Sequence, residues 1–461
     1  MLKITRIDAL EVLDSRGRPT VEASVVCEGD FEGRASVPSG ASTGRSEAHE
    51  LRDGGRRLRG LGVRTAVGQI RTEINAALNG GDALDQQGLD WRLRQLDGTP
   101  DKSRLGANAI LAVSLATVRA AAAALKQSVV QRLADLWLKS APTTVPHAAG
   151  GLFEPDVLPL PMVNMISGGA HAGGNLDLQD FLLIPVGATS YSQALDQIVE
   201  TYFELGSLLQ ARDYEGVLVG DEGGYGPRLR SNEEAIELVT MAAERAGLRP
   251  GRDFMLGLDV ASTQFYRDGK YHLRDDPQSP RSSDAMIDLL ASWVRQYPIL
   301  SIEDGLAEDD WDGWSALTAA LGSQVQILGD DLFTTNCARL REGIDRAAAN
   351  SILIKVNQIG TLSETFDTLI LAWQNGYTPV ISARSGETED PFIADLATAT
   401  GAGQIKIGSV ARSERLAKYN QLLRLERMLG GRGRFAGPAA FVQRTALARW
   451  QSDGRSPQCA D

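Results

Sequence analysis

Six apolar runs in this sequence, "FMLGLDV", "ILSIEDG", "VQILGDD", "SILIKVN", "TPVISAR" and "QIKIGS", each end at or just before an ionisable residue: Asp259, Glu303, Asp330, Lys355, Arg384 and Lys406. If the runs are parallel strands of one barrel, those six side chains share the mouth at the strands' C-terminal ends. Three carboxylates with no histidine or cysteine among them suit a hard cation such as Mg2+, which takes oxygen ligands and leaves positions open for water or substrate. Without a cation the three would repel and raise one another's pKa values. A structural ion-pair cluster with the lysines and the arginine is the alternative. A lysine beside another cation and a divalent metal has its pKa pulled down, which suits a general base. The matching chemistry is removal of a proton α to a carboxylate, a step that needs metal charge nearby. Arg384 offers a two-pronged fork for a phosphate or carboxylate.

The elements that must hold these residues follow from the pattern. Two shorter apolar runs, "PMVNMI" and "DFLLIPV", precede the six, giving eight strands, the number a (β/α)8 barrel requires. Helical patterns near 190–212 and 232–247 separate them from the six, with "VLVGDEGGYGP" between. Residues 1–140 open with strand patterns, "KITRIDALEVL" and "TVEASVVCEG", and continue with helical ones near 64–79 and 106–137, an α+β unit. A Pro/Gly-rich stretch, 141–157, reads as a linker; 158–451 is the barrel and 452–461 a polar tail.

The 461 residues are 43% hydrophobic and 23% charged, ordinary for a soluble protein, and the net charge of −12 argues against nucleic acid as a partner. Three scattered cysteines and four dispersed histidines argue against a disulfide framework or a Cys/His metal site. The N-terminus lacks a secretory pattern. "ANAILAVSLATVRAAAAALK" reads as a buried alanine-rich helix and not a membrane span. A cytoplasmic location is expected.

Taken in order, "DSRGRPTVEASV", "VPSGASTGRSEAHELRDGG", "KSRLGANAILAVSLA", "GGAHAGG", "GDEGGYGP", "SIEDGLAEDDWDGW", "LGDDLFTTN", "NSILIKVNQIGTL", "RSGETED" and "IKIGSVARSERLAKYNQLLRLE" resemble the enolase family over roughly residues 3–437. The resemblance implies an α/β fold, a ββαα(βα)6 barrel with an N-terminal α+β capping domain. It implies dehydration of 2-phosphoglycerate to phosphoenolpyruvate with two Mg2+ per site, and a homo-oligomer, dimer or higher. By motif position, Asp259, Glu303 and Asp330 correspond to ligands of one Mg2+, and Ser42 to a group closing over the second. Lys355 corresponds to the base and Glu222 to the acid assisting loss of hydroxide. Lys406 corresponds to a substrate-carboxylate contact, Arg384 and Ser385 to phosphate contacts, and His171 to a pocket residue.

Two positions depart from the family pattern. Ala383 stands where enolases usually carry histidine, and Asp180 where they usually carry glutamate. Both correspond to the leaving-hydroxyl side, whereas the proton-abstracting side is intact. Two other readings therefore stand beside an ordinary enolase. One is a paralogue acting on a modified three-carbon phosphoester or phosphonate, as carboxyphosphonoenolpyruvate synthase does. The other is a non-catalytic binding or scaffold protein.

Overall fold

The structure, a computed structural model, describes residues 1–41, 43–141, 156–274 and 276–442. The chain begins with an antiparallel sheet of three strands, β1 (Ile4–Leu13), β2 (Pro19–Cys27) and β3 (Phe31–Ser36), in that order. The β1–β2 turn is held by Asp14, whose Oδ1 accepts the amides of Arg16 and Arg18. Helical segments follow: a run over residues 64–78, then α1 (Gln86–Asp97), α2 (Ala107–Leu125) and α3 (Val129–Ser140). The single helical pattern expected near 106–137 is two helices. Lys126 takes a left-handed backbone (φ 55°) and ends α2, and Ser128 opens α3 with a capping box to Gln131. α2 is long and apolar enough to cross a membrane, but 78% of that window is buried. It packs on β2 and β3. Gly33 makes this approach possible, since a Cβ there would lie 2.2 Å from the Ala116 carbonyl oxygen and the Ala120 amide of α2.

The second unit is a closed eight-stranded barrel. Its strands are β4 (Leu160–Ser167), β5 (Asp180–Ile184), β6 (Met255–Asp259), β7 (Ile299–Glu303), β8 (Gln326–Gly329), β9 (Ser351–Ile354), β10 (Thr378–Ser382) and β11 (Gln404–Gly408). β5 runs antiparallel to both neighbours and all other pairs are parallel. The reversal places the start of β5, Asp180, beside the end of β6, Asp259. Helices α4 (Tyr191–Ala211) and α5 (Asn232–Arg245) follow β5. Then α6 (Ser283–Gln296), α7 (Trp311–Leu321), α8 (Cys337–Asp345), α9 (Leu362–Gln374), α10 (Phe392–Thr400) and α11 (Ser413–Leu429) alternate with the remaining strands. All eight apolar runs of the sequence are barrel strands.

Leu160, Met162, Leu182, Met255, Leu328, Leu353 and Val380 form a separate apolar cluster that makes the barrel a packed core and not a pore. Strand side chains repeat with a period of two, so inward-facing Leu328 and Leu353 are followed two residues on by Asp330 and Lys355. The linker expected at 141–157 and the tail at 452–461 fall, apart from residues 141, 156 and 157, outside the described residues.

Candidate active site

The barrel mouth gathers every sequence-predicted site residue that the structure describes; Ser42 lies outside the described residues. Lys406, in the middle of β11, reaches across the mouth, and its Nζ donates to Asp259 Oδ2 and Glu303 Oε2, each at 2.7 Å. The same ammonium lies 3.9 Å from Asp180. Lys355, directly after β9, donates to Asp330 Oδ2, directly after β8. Arg384 follows β10 and is buried among Glu47, Asn357 and the site wall. His171 Nδ1 stands 3.4 Å from Asp180 and 4.0 Å from Glu222.

Buried charges on this scale dictate one another's protonation. Burial pushes the Glu303 carboxyl well above its ordinary value; the Asp259 charge adds to this and Lys406 opposes it. Burial acts against the Lys406 ammonium, yet Asp259 and Glu303 hold its pKa well above the lysine value. Lys355 is likewise raised, burial being outweighed by Asp330. The sequence predicts a depressed lysine pKa. That expectation assumes a divalent cation taking up the carboxylate charge, and in the protein alone the carboxylates hold both lysines protonated. On the other flank, burial raises Asp180 to about 6 against the pull of His171. Glu222 is lowered, because His171, Arg415 and Lys406 outweigh its burial.

Mg2+ fits this donor set. Glu303 Oε1 is buried with no hydrogen-bond partner, between carboxylates on β6 and β8. Leaving a buried carboxylate oxygen without a partner is costly, which is why the Glu303 carboxyl is pushed up, and a hard cation would satisfy it in its ionised form. Asp259, Glu303 and Asp330 do not by themselves form the tightest acidic group. Among the described residues, the groups whose ligand atoms lie within 4.8 Å of one another are His171–Asp180–Glu222 and Asp304–Asp330–Asp331.

Several residues outside the sequence-predicted set position the site. Gln179 Nε2 donates to Asp259 Oδ2 at 3.0 Å, and Gln358 Nε2 to Asp330 Oδ1 at 2.9 Å. Asp304 accepts the amides of Asp330 and Asp331, each at 2.9 Å. Arg415 of α11 donates to the carbonyls of Arg384, Ser385 and Ile407 at 2.6, 2.7 and 2.9 Å, fixing the turn after β10. Ser385 Oγ accepts the amide of Ala41 at 2.7 Å, tying that turn to the N-terminal domain. Gly386 is required there, since a Cβ would sit 2.4 Å from Arg16 and 2.6 Å from the Ser39 carbonyl oxygen. The doubled acids of "SIEDG" and "LGDD", and the glutamines in "LDLQDF" and "KVNQIG", are the signals that mark these supporting groups in the sequence.

Ala383 is buried and its methyl group belongs to the main apolar cluster, whereas the next residue, Arg384, brings charge to the mouth. Asp180 Oδ1 is engaged by Asn164, and its Oδ2 has no hydrogen-bond partner.

A family model described as "Enolase, N-terminal domain" matches residues 4–133, and one described as "Enolase, C-terminal TIM barrel domain" matches residues 155–444.

Proposed function

The chain belongs to the enolase family and is an enolase-type lyase, and from that premise we propose that it interconverts 2-phosphoglycerate and phosphoenolpyruvate with Mg2+. The observation that carries this reading is the division of the mouth. One flank is Asp330, Lys355 and Arg384; the other is His171, Asp180 and Glu222, with Lys406 spanning from Asp259 and Glu303 toward Asp180. A proton donor and a proton acceptor on separate flanks of one pocket is what an elimination needs.

In this proposal Arg384 and Ser385 hold the phosphate and Lys406 the substrate carboxylate. Lys355 Nζ takes the proton from the carbon between them. Glu222 delivers a proton to the hydroxyl leaving the next carbon. Its lowered carboxyl is ionised in the protein alone, and the proton comes to it from His171, 4.0 Å away, whose pKa is raised, burial being outweighed by the Asp180 and Glu222 charges. Asp259, Glu303 and Asp330 would hold one Mg2+, and Ser42 is assigned to the second by motif position. When bound, Mg2+ supplies the positive charge that offsets the second negative charge building on the substrate carboxylate. Gln179, Gln358 and Asp304 keep the carboxylates aimed inward, and Arg415 keeps the phosphate-binding turn in register. Fixing these groups before the reaction is what makes their charge effective.

The methyl of Ala383 and the short Asp180 favour a second reading, a paralogue whose substrate is a modified phosphoester or phosphonate of the same three-carbon acid. Kinetics on 2-phosphoglycerate separate the two: turnover fast enough for a central metabolic step supports the first, and slow turnover with intact Mg2+ binding supports the second. Self-association in a cytoplasmic setting completes the proposal, and light scattering on the purified chain measures the former.

A further inference from the structure

Glu47 has no part in the proposed reaction, yet its carboxylate sits where an anion belongs. Its Oε2 accepts from Arg384 Nη1 at 2.9 Å and its Oε1 from Nη2 at 3.0 Å, so both oxygens face one edge of the guanidinium. That two-pronged arrangement is the one an arginine uses to hold a phosphate. Arg384 is poorly placed to turn aside. Its side chain is 3% exposed, its amide donates to Glu387, its carbonyl accepts from Arg415, and Nη1 also donates to Asn357 Oδ1 at 2.9 Å. Glu47 is held more lightly: it comes from the N-terminal domain, and apart from Arg384 its carboxylate meets only a local turn and a long contact from Gln358 Nε2 at 3.4 Å. Gly44 N–H donates to Glu47 Oε1 at 3.1 Å, and the Glu47 amide returns to the Gly44 carbonyl at 3.2 Å. A carboxylate and a phosphate cannot share one edge of a guanidinium without two anions in contact, which burial makes unfavourable.

We propose that Glu47 is an internal anion that occupies the Arg384 fork until the phosphate of the substrate displaces it, so that binding releases the 44–47 turn. The proposal rests on the reading that Arg384 receives the phosphate. It has a thermodynamic consequence: the empty fork is a minority state, so the apparent affinity for phosphate is lower than the intrinsic affinity by the fraction of time the fork is open. Glu47 then lowers the apparent affinity for every anion by the same factor, so that only an anion with high intrinsic affinity for the fork fills it at low concentration.

The test is calorimetric titration of inorganic phosphate into the full chain with Mg2+ present, for wild type, Glu47→Gln, Glu47→Ala and Arg384→Ala, with hydrogen exchange over residues 43–50 of the wild type. Glu47→Gln keeps an oxygen for the Gly44 amide and preserves the turn, and circular dichroism checks both Glu47 variants. The expected result is about tenfold tighter phosphate binding by both Glu47 variants, none by Arg384→Ala, and faster exchange at Gly44 when wild type is saturated with phosphate. Unchanged or weaker binding by the Glu47 variants, with binding still lost in Arg384→Ala, overturns the displacement and makes Glu47 a support for Arg384. Phosphate binding that survives Arg384→Ala overturns the assignment of the fork itself, and the displacement with it.

Discussion

Replacing Arg415 by methionine isolates what α11 does for the site. The guanidinium is fully buried and holds the carbonyls of Arg384, Ser385 and Ile407. Methionine fills similar space but leaves three carbonyl oxygens without their charged donor. Breaking a buried charged network of this kind costs about 3–5 kcal/mol. Against a total stability of roughly 5–15 kcal/mol, the variant still folds but with little margin. The functional effect is separate from the stability effect. Two of the carbonyls belong to the residues assigned to phosphate, and a displacement of about 1 Å at such a position costs roughly 100-fold in kcat/KM. Phosphate contacts are made in ground state and transition state alike, so the loss falls mainly on KM, with kcat changed much less. Urea unfolding gives the stability change, and initial rates on 2-phosphoglycerate at a temperature where circular dichroism shows a folded variant give the kinetic split. Arg415→Lys restores one or two of the three contacts and recovers part of both losses. A kcat/KM for Arg415→Met within threefold of wild type refutes the positioning argument.

Three other outcomes are expected from the contacts within the protein. Asp90 is buried, accepts from Ser363 and Gln86, and is pushed up to about 6 by burial. A raised carboxyl pKa means the native state holds its proton more tightly, so this contribution to stability is full below about pH 4 and lost as pH rises through 6; the shift of about two units corresponds to about 3 kcal/mol. Asp90→Asn should therefore gain roughly 1.5 kcal/mol relative to wild type between pH 5 and pH 7 in urea unfolding, and parallel pH profiles would show that Asp90 does not titrate in this way. Gln358→Met removes the hydrogen bond to Asp330 and should weaken Mg2+ binding about 10–100-fold by calorimetry; unchanged affinity counts against Asp330 as a ligand. Exhaustive chelation should abolish turnover and Mg2+ should restore it, whereas full activity in the chelated protein contradicts the assignment of Asp259, Glu303 and Asp330.

Much of the architecture was legible because each barrel strand is a short apolar run followed by a polar residue, which is how a strand buried on both faces announces its end. The break at Lys126 was not, because a left-handed residue between two helical stretches with continuous apolar positions leaves no mark in the hydrophobic pattern. The residues at the mouth were visible as types, and their partners were not. That Lys406 spans Asp259 and Glu303 depends on barrel closure, which joins residues 147 and 103 positions apart. Glu47 and Arg384, 337 positions apart, meet only because the N-terminal domain lies over the mouth. Arg415 reads as one more surface charge in "ARSERLAK" until the fold turns it inward.

The most direct test of the proposed function is phosphoenolpyruvate formation from 2-phosphoglycerate with Mg2+, measured on wild type, Ala383→His and Lys355→Ala. The proposal predicts robust turnover by wild type, similar or modestly changed turnover with histidine at 383, and loss of turnover in Lys355→Ala with Mg2+ binding retained. Absence of turnover in wild type that still binds Mg2+, or turnover undiminished in Lys355→Ala, contradicts it.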